Sequence, residues 1–199
     1  MKRTRVIQAD HPTAIQIATD IVQRGGTVVF PTDTVYGLGC SAFSEKAIEQ
    51  LFIIKERKQD QAIAVLLGSV QQLSEVTEHP SQQALDLAEA HWPGALTLVM
   101  PRHPKMPENL SPLPTLGVRI PDHPVALRLL QAVGPMAVTS ANLSGKENTT
   151  TAEEVLSQLE GRVDLILNGG ETPGGVPSTV VNMTSEKPVV LRQGPVIIE

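Results

Sequence analysis

The sequence has a single cysteine and no long apolar run. Because Cys40 has no cysteine or histidine partner at ligand spacing, we expect a small buried side chain rather than a disulfide or a metal ligand. No apolar stretch approaches the roughly 20 residues that a membrane helix needs. No apolar segment follows the basic N-terminus before Asp10, so a secretory signal is not expected. We therefore expect no membrane association and a cytoplasmic location.

The composition is that of an ordinary globular chain. With 199 residues, 41% hydrophobic and 19% charged, residues 1–199 are expected to form a single domain that buries roughly 70% of its unfolded surface. A net charge of −5 argues against a surface that coats nucleic acid, although it leaves room for a local basic patch. The 5 histidines are scattered, so each is expected to be structural or solvated.

Short apolar segments alternate with amphipathic ones along the chain. Several neighbouring strands lack a helix between them, which indicates an α/β domain with a mixed parallel and antiparallel twisted sheet. The first helix is expected to begin at Asp10 and Pro12 and to end at Gly25. The predicted strands are 6–8, 27–30, 62–67, 95–100, 115–120, 136–139, 165–167, 178–181 and 189–191. The other predicted helices are 44–54, 81–89, 124–133 and 151–159.

The stretch from Thr27 to Ala42 has the strongest pattern. Four residues typical of a strand run into Pro31, which cannot donate a ladder hydrogen bond, so the strand is predicted to end there. Polar groups and glycines follow, and such groups at strand ends can approach a small polar ligand. The alternative is a polar turn between two strands. The groups in question are Thr32, Asp33, Thr34, Tyr36, Gly37 and Gly39.

Cations occur at two further places, after a helix and within a short strand. Lys55 and Arg57 follow a helix, where they either complement the helix dipole or overhang the same rim and hold phosphate or carboxylate. Arg119 lies within a short apolar strand, which favours an anion-binding role over a surface position. Between strands, residues 101–114 contain five prolines, typical of a long loop that is a lid, a binding loop or disordered.

The polar groups at strand ends are rich in cations and neutral hydrogen-bonding groups but poor in carboxylates. No Ser-His-Asp or Cys-His series and no paired-carboxylate signature is present, which argues against acyl-enzyme and glycosidase chemistry. Partial glycine motifs at 37–39 and 144–146 match neither a Rossmann nor a Walker pattern. A cleft that holds polyphosphate and carboxylate by charge and position is what remains. The set is Thr32, Thr34, Tyr36, Lys55, Arg57, Arg119, Ser140, Asn142, Ser178 and Arg192.

Six segments in register resemble the YrdC family over nearly the whole chain. They are Pro31-Thr-Asp-Thr-Val-Tyr-Gly-Leu-Gly39, Lys55-x-Arg57, Trp92-Pro-Gly-Ala-Leu-Thr97, Gly117-Val-Arg-Ile-Pro121, Ser140-Ala-Asn-x-Ser-Gly145 and Pro177-Ser-Thr-Val-Val181. The resemblance implies a YrdC-like open sheet flanked by helices, with a central cationic cleft. It further implies an ATP- and Mg²⁺-dependent transferase that makes L-threonylcarbamoyladenylate and diphosphate from L-threonine, bicarbonate and ATP. Partner proteins would then use that product to modify adenosine 37 of tRNA.

The resemblance also implies a role for each matched residue. Lys55 and Arg57 would be catalytic, and Mg²⁺ would be carried by ATP rather than by protein side chains. The threonine site would comprise Thr32, Thr34, Tyr36, Arg119, Val138 and Ser178. The ATP site would comprise Lys55, Arg57, Gln61, Thr115, Ser140, Asn142, Asn148 and Arg192.

The sequence departs from the family pattern at a few site positions. Gln61 stands in the segment after Arg57 where the family has Asn or Lys, Leu66 where a His is frequent, and Asn148 where a Ser is common. Two alternatives remain open. One is a paralogue that binds RNA, such as tRNA, without making the adenylate. The other is a related hydrogenase-maturation domain, whose acylphosphatase and zinc-finger segments this chain lacks.

Overall fold

A computed structural model describes residues 3–174, 176–185 and 187–198. The strands are β1 (Arg5–Gln8), β2 (Val28–Pro31), β3 (Tyr36–Ser41), β4 (Ala64–Leu66), β5 (Leu96–Pro101), β6 (Thr115–Arg119), β7 (Met136–Ser140), β8 (Leu165–Asn168), β9 (Thr179–Asn182) and β10 (Val189–Arg192). The helices are α1 (Ala14–Gln23), α2 (Glu45–Lys55), α3 (Leu73–Val76), α4 (Gln82–His91), α5 (Pro124–Val133) and α6 (Ala152–Leu159), with 3₁₀ turns at Val70–Gln72 and Glu108–Leu110.

All ten described strands form one sheet, in the order β1-β8-β2-β3-β7-β4-β6-β5-β9-β10. Four of the pairings are parallel, namely β1 with β8, β2 with β8, β4 with β6 and β5 with β9. The remaining pairings are antiparallel. The predicted mixed sheet is therefore confirmed, and its order brings strands from both halves of the chain side by side.

Alternate strand residues pack into two separate apolar clusters. In β2, Val29 belongs to one cluster whereas Val28 and Phe30 belong to the other, as expected when successive side chains point to opposite faces. Helices α1 and α5 supply the smaller cluster, and α2, α4 and α6 supply the larger one. Helices therefore cover both faces of the sheet. In the described part of the chain, no helix is long and apolar enough to cross a membrane.

Several predicted helix starts are confirmed by their caps. The side chains of Ser44 and Ser81 accept the amides of Ala47 and Ala84 at the starts of α2 and α4. Thr151 caps α6 in a reciprocal capping box with Glu154.

The prediction for the first helix was wrong at its start. The chain makes a turn after Asp10, and α1 begins at Ala14 with Thr13 in the N-cap position.

The largest correction concerns the strand predicted to end before Pro31. Pro31 is the last paired residue of β2, opposite Tyr36 in a β2–β3 hairpin, so its missing N–H falls at the end of the ladder. Gly37 and Gly39 lie within a strand instead of a loop. A Cβ built on Gly37 would lie 2.9 Å from Val138 Cγ1 of the neighbouring strand, so these glycines permit a close approach between β3 and β7.

The proline-rich segment 101–114 is ordered by internal contacts. Arg102 pairs with Thr77 in an isolated bridge, and its guanidinium donates to the carbonyls of Glu108 and Ser111. Met106 and Leu110 are buried in the larger apolar cluster. The structure therefore shows an ordered loop with one 3₁₀ turn, and of the alternatives left open by the sequence, disorder is wrong.

Candidate active site

One cavity of about 490 Å³ opens where the ends of several strands meet. Its wall draws on the 32–37 hairpin turn, the segment after α2, the strands β4 to β7 and β9 to β10, and the end of the 101–114 loop. Predicted site residues in the wall are Thr32, Thr34, Tyr36, Arg57, Thr115, Arg119, Val138, Ser140, Asn148, Ser178 and Arg192. Residues predicted from strand ends tens of positions apart thus share one cavity.

Arg119 is held rigidly at this cavity by three partners. Its Nη2 donates to Asp33 Oδ1 at 2.5 Å, its Nη1 to Thr34 Oγ1 at 3.3 Å, and its Nε to the Gly94 carbonyl at 2.9 Å. The side chain of Arg119 is 8% exposed and that of Asp33 is 14% exposed. A guanidinium carries five N–H donors, so these three bonds fix its plane and leave two donors for an anion.

The neighbouring threonines hold the hairpin turn in shape. Thr32 Oγ1 donates to the Val35 carbonyl at 2.7 Å and accepts the amides of Thr34 and Val35. It also lies 3.0 Å from Thr34 Oγ1. Thr34 Oγ1 therefore accepts one hydrogen bond from Arg119 and lies beside the Thr32 hydroxyl. These two contacts fix the position of the Thr34 hydroxyl in the cavity wall.

Tyr36 is a lining residue that is fully buried, and its hydroxyl contacts a loop. The hydroxyl donates to the Gly170 carbonyl at 2.7 Å and accepts the Gly169 amide at 3.1 Å. Burial raises the pKa of Tyr36, with the Gly169 bond acting in the opposite direction. The phenol therefore stays neutral at physiological pH and anchors the loop that follows β8.

Ser178 and Arg192 form a second polar group across the cavity. Arg192 donates to the Ser178 carbonyl through Nε at 3.0 Å and through Nη2 at 2.9 Å. The Ser178 hydroxyl lies 2.8 Å from Thr97 Oγ1. Burial, and then the positive charge of Arg119, lower the pKa of Arg192. Both arginines line the cavity.

Arg57 lines the same cavity as Ser140, Thr115 and Asn148. Its Nη2 donates to the Ala62 carbonyl at 2.9 Å, whereas its buried Nε finds no hydrogen-bond partner among the described residues. Burial also lowers the pKa of Arg57. A buried donor without a partner is costly, but this Nε is closed to solvent, so a ligand in the cavity would contact the terminal N–H groups of Arg57 instead.

Three predicted site residues do not line the cavity. Gln61 is exposed outside it, and Asn142 is buried beneath the wall. Lys55 was expected to overhang the rim with Arg57. Instead it is 2% exposed, and its ammonium binds backbone and side-chain oxygens of the segment after β7. This correction follows from the turn of α2, which directs Lys55 inward while Arg57, beyond the helix end, reaches the cavity.

The sequence did not single out several residues of the wall. Thr97, Thr139 and Ser111 add hydroxyl groups, and Leu113 and Leu191 add exposed apolar side chains at 61% and 59%. Thr97 lies within the Trp92 to Thr97 motif, so its position after a strand start was an available signal. No comparable signal marks the two leucines, because isolated surface leucines are common.

The charged residues in the described lining of the cavity are arginines, and one of them, Arg119, is paired with Asp33. Arg57, Arg119 and Arg192 line it, and the described lining residues include no Asp or Glu. No group of three or more His, Cys, Asp or Glu side chains that could hold a metal occurs among the described residues. The arrangement can bind a carboxylate and a phosphate chain in one space, and it can neutralise charge that develops on them.

A family model and two curated relatives match most of this chain. The Sua5_yciO_yrdC family model, described as "Telomere recombination", matches residues 20–194. The chain is 40% identical over 187 residues to threonylcarbamoyl-AMP synthase of Pyrococcus abyssi, covering 93% of this chain and 55% of that protein. It is 39% identical over 194 residues to threonylcarbamoyl-AMP synthase of Bacillus subtilis, covering 96% of this chain and 56% of that protein. The chain thus spans about half the length of these relatives.

Solved structures show the same fold. Sua5 of P. abyssi, in a complex with L-threonine, has a TM-score of 0.90 and 37% identity, covering 98% of this chain and 57% of that one. YciO of E. coli has a TM-score of 0.86 and 34% identity, covering 98% of this chain and 97% of that one. The likeness extends over the whole sheet, including the strands that form the cavity.

Proposed function

Since the chain belongs to the Sua5, YciO and YrdC family, we propose that it is an L-threonylcarbamoyladenylate synthase. It would convert L-threonine, bicarbonate and ATP into threonylcarbamoyl-AMP and diphosphate, by adenylyl transfer to the carbamate of threonine. Two relatives that carry the name threonylcarbamoyl-AMP synthase and a Sua5 structure with bound L-threonine support this proposal.

The observation that carries the proposal is the pairing of two anion sites within one cavity of about 490 Å³. Arg119 with Thr34 suits the carboxylate and amine of an amino acid, because a guanidinium binds a carboxylate by two parallel bonds. Arg57, a guanidinium-bearing residue that lines the same cavity, suits a phosphate oxygen. A reaction that joins an amino acid to a nucleotide needs both sites side by side.

We assign the wall residues to the two substrates on this basis. Thr32, Tyr36, Val138 and Ser178 would complete the threonine site around Arg119 and Thr34. Thr115, Ser140, Asn148 and Arg192 would hold ATP together with Arg57. Gln61 and Asn142, which were expected in the ATP site, lie outside the cavity lining, and we assign neither to a substrate.

The proposed chemistry needs no protein nucleophile. The threonine amine and bicarbonate condense to a carbamate with loss of water, and a carbamate oxygen attacks the α-phosphorus of ATP. The bond from that phosphorus to the oxygen bridging the β-phosphorus breaks, and diphosphate leaves with its charge met by Arg57 and Arg192. Holding both reactants in one enclosed space favours the step over hydrolysis of the carbamate.

We propose that Mg²⁺ enters on the phosphates of ATP. The wall offers hydroxyl and amide oxygens, such as those of Ser140 and Asn148, and the described lining offers no carboxylate. These groups fit a hydrated Mg²⁺ that is ligated mainly by phosphate and water. The ion would supply neutralisation of the phosphate charge.

Diphosphate release from ATP by the purified chain tests the proposal. With bicarbonate and Mg²⁺ present, we expect release with L-threonine, less with L-serine, and none without an amino acid. Arg57→Ala should abolish release while the circular dichroism spectrum is retained. Equal release with and without amino acid would contradict the assignment of the Arg119 site to threonine.

The product would serve the proteins that transfer threonylcarbamoyl to adenosine 37 of tRNA. A paralogue that only binds RNA would instead show salt-sensitive tRNA binding and no diphosphate release. The structure offers that reading little support, because the one aromatic residue among the described lining residues, Tyr36, is fully buried and offers no exposed ring on which a base could stack.

A further inference from the structure

Lys55 is a buried cation whose hydrogen-bonding capacity is used entirely by one turn of the chain. Its Nζ lies 2.5 Å from the Ser140 carbonyl oxygen, 2.5 Å from the Asn142 carbonyl oxygen and 3.2 Å from Asn142 Oδ1. An ammonium group has three N–H donors. The three acceptors therefore match the three donors, and none remains for a ligand.

The segment that Lys55 holds is the residue 140–146 turn, which follows β7. At its start the Ser140 hydroxyl, which belongs to the cavity wall, donates to Asn142 Oδ1 at 2.5 Å. The side-chain amide of Asn142 donates through Nδ2 to the backbone carbonyls of Leu143 and Lys146 at 2.9 and 2.7 Å. Asn142 Oδ1 thus receives both the Lys55 ammonium and the Ser140 hydroxyl.

The main chain reinforces this link between α2 and the turn. The Ser144 backbone amide donates to the Lys55 carbonyl at 2.9 Å. Lys55 therefore binds the turn through both its backbone and its side chain. Lys55 stands at the C-terminal end of α2, where the helix dipole favours a cation. A rotation of the turn would separate a buried ammonium from its acceptors, which is costly.

We propose that Lys55 is a positioning residue for the nucleotide half of the cavity, which acts by fixing the turn and thereby the direction of the Ser140 hydroxyl. It does so without touching a phosphate. The chain of bonds runs from Lys55 to Asn142 Oδ1 and from there to Ser140. Its effect on ATP rests on the function proposed above, whereas the holding of the turn does not.

Amide hydrogen exchange of the ligand-free protein tests the first half of the proposal. At pH 6, Lys55→Met should accelerate exchange at Leu143 and Lys146 by about tenfold, because the turn loses three bonds from the ammonium. Lys46→Met, which alters an exposed lysine of the same helix, is the matched control and should change neither. Unaltered exchange in Lys55→Met would overturn the proposal.

ATP binding tests the second half through a double-mutant cycle. Lys55→Met and Ser140→Ala should each raise the dissociation constant of ATP about tenfold, and the double variant should raise it about tenfold as well, because both break one chain of bonds. An additive loss of about a hundredfold would mean that Lys55 acts on ATP directly, which would overturn the proposal. Arg57→Ala with Ser140→Ala is the control pair and should be additive.

The two measurements separate this proposal from the proposed function. If the wild-type protein binds no ATP, the synthase proposal fails, and hydrogen exchange still decides whether Lys55 holds the turn. If Lys55→Met does not fold, Asn142→Ala removes one acceptor and keeps the lysine. Its cycle with Ser140→Ala should then be non-additive, and additivity there would overturn the proposal.

Discussion

Arg119 and Asp33 form a largely buried ion pair beside the cavity, with 2.5 Å between Nη2 and Oδ1. Asp33 comes from the hairpin turn after β2, and Arg119 is the last residue of β6. The pair therefore joins two distant parts of the chain at the proposed threonine site. Because removing one partner of such a pair leaves the other charge poorly solvated, its loss should be felt in stability.

Asp33→Asn should lower the free energy of unfolding by about 1–3 kcal/mol, since an amide oxygen replaces the carboxylate but the charge that faces Arg119 is lost. Urea denaturation at pH 7 measures the change. Asp122→Asn, at an exposed position three residues beyond Arg119, is the matched control and should have little effect. Equal midpoints for the two variants would show that the ion pair contributes nothing to stability.

Much of the fold could be predicted because the local signals agree with one another. Helix α5 has the predicted bounds, with Pro124 at its first position and Gly134 at positive φ after it. The mixed sheet followed from strands that adjoin without a helix between them. By contrast, β3 was missed because Gly37 and Gly39 are weak strand formers. These glycines make room for the side chain of Val138, which lies about a hundred residues further along the chain and leaves no local signal.

The candidate site divides in the same way. Arg57 and Arg119 could be selected because a cation at the end of a secondary-structure element or among apolar residues needs a hydrogen-bonding or charged partner. The inward direction of Lys55 could not be predicted, since it depends on carbonyl groups 85 and 87 residues further along the chain. The partner of Arg119 was likewise hidden, because a spacing of 86 residues to Asp33 leaves no local pattern.

Cys40 provides a built-in probe of unfolding. It is fully buried in β3, and burial raises the pKa of its thiol to about 12. Because the thiolate is the reactive form, a thiol reagent at pH 8 should label the native protein slowly and the protein in guanidinium chloride at once. A Cys40→Ser, Phe43→Cys variant, with its thiol at a position that is 45% exposed, should react at once when native. Rapid labelling of native Cys40 would contradict the burial of β3.

Helix α2 depends on one face for its packing. Leu51 is fully buried in the larger apolar cluster, whereas Ile53 on the same helix is 59% exposed. Leu51→Ala should therefore destabilise the protein by about 2–5 kcal/mol through lost burial and a cavity. Ile53→Ala should stay within about 0.5 kcal/mol of the wild type. Chemical denaturation of both variants checks this, and similar losses for the two would mean that α2 packs through a different face.

Gly37 tests the close approach of β3 and β7. Its added Cβ would lie 2.9 Å from Val138 Cγ1, so Gly37→Ala should cost about 1–3 kcal/mol by overpacking. Val138→Ala removes that atom. The double variant Gly37→Ala, Val138→Ala should consequently be more stable than the sum of the single effects predicts. Strict additivity in urea denaturation would show that the strain, if any, arises elsewhere.

The buried lysine should also make stability depend on pH. Burial, and then the charge of Arg57, lower the pKa of Lys55 from 10.5 to about 7. Between these values the unfolded chain holds a proton that the folded protein has released, so the free energy of unfolding should rise with pH from about 7 upwards. The limiting slope for one proton is about 1.4 kcal/mol per pH unit.

The window for this measurement closes near pH 8.5. Above that value the thiol of Cys40 ionises in the unfolded chain while it stays protonated in the fold, because its pKa is raised to about 12. This loss offsets the rise from Lys55, so stability should level off. Because burial also lowers the pKa of His123 from 6.5, which adds a rise below that value, urea midpoints between pH 7 and 8.5 isolate the lysine. Lys55→Met should remove the rise, and Lys46→Met should keep it. A rise that persists in Lys55→Met would assign the titration to another group and leave the ammonium of Lys55 charged throughout.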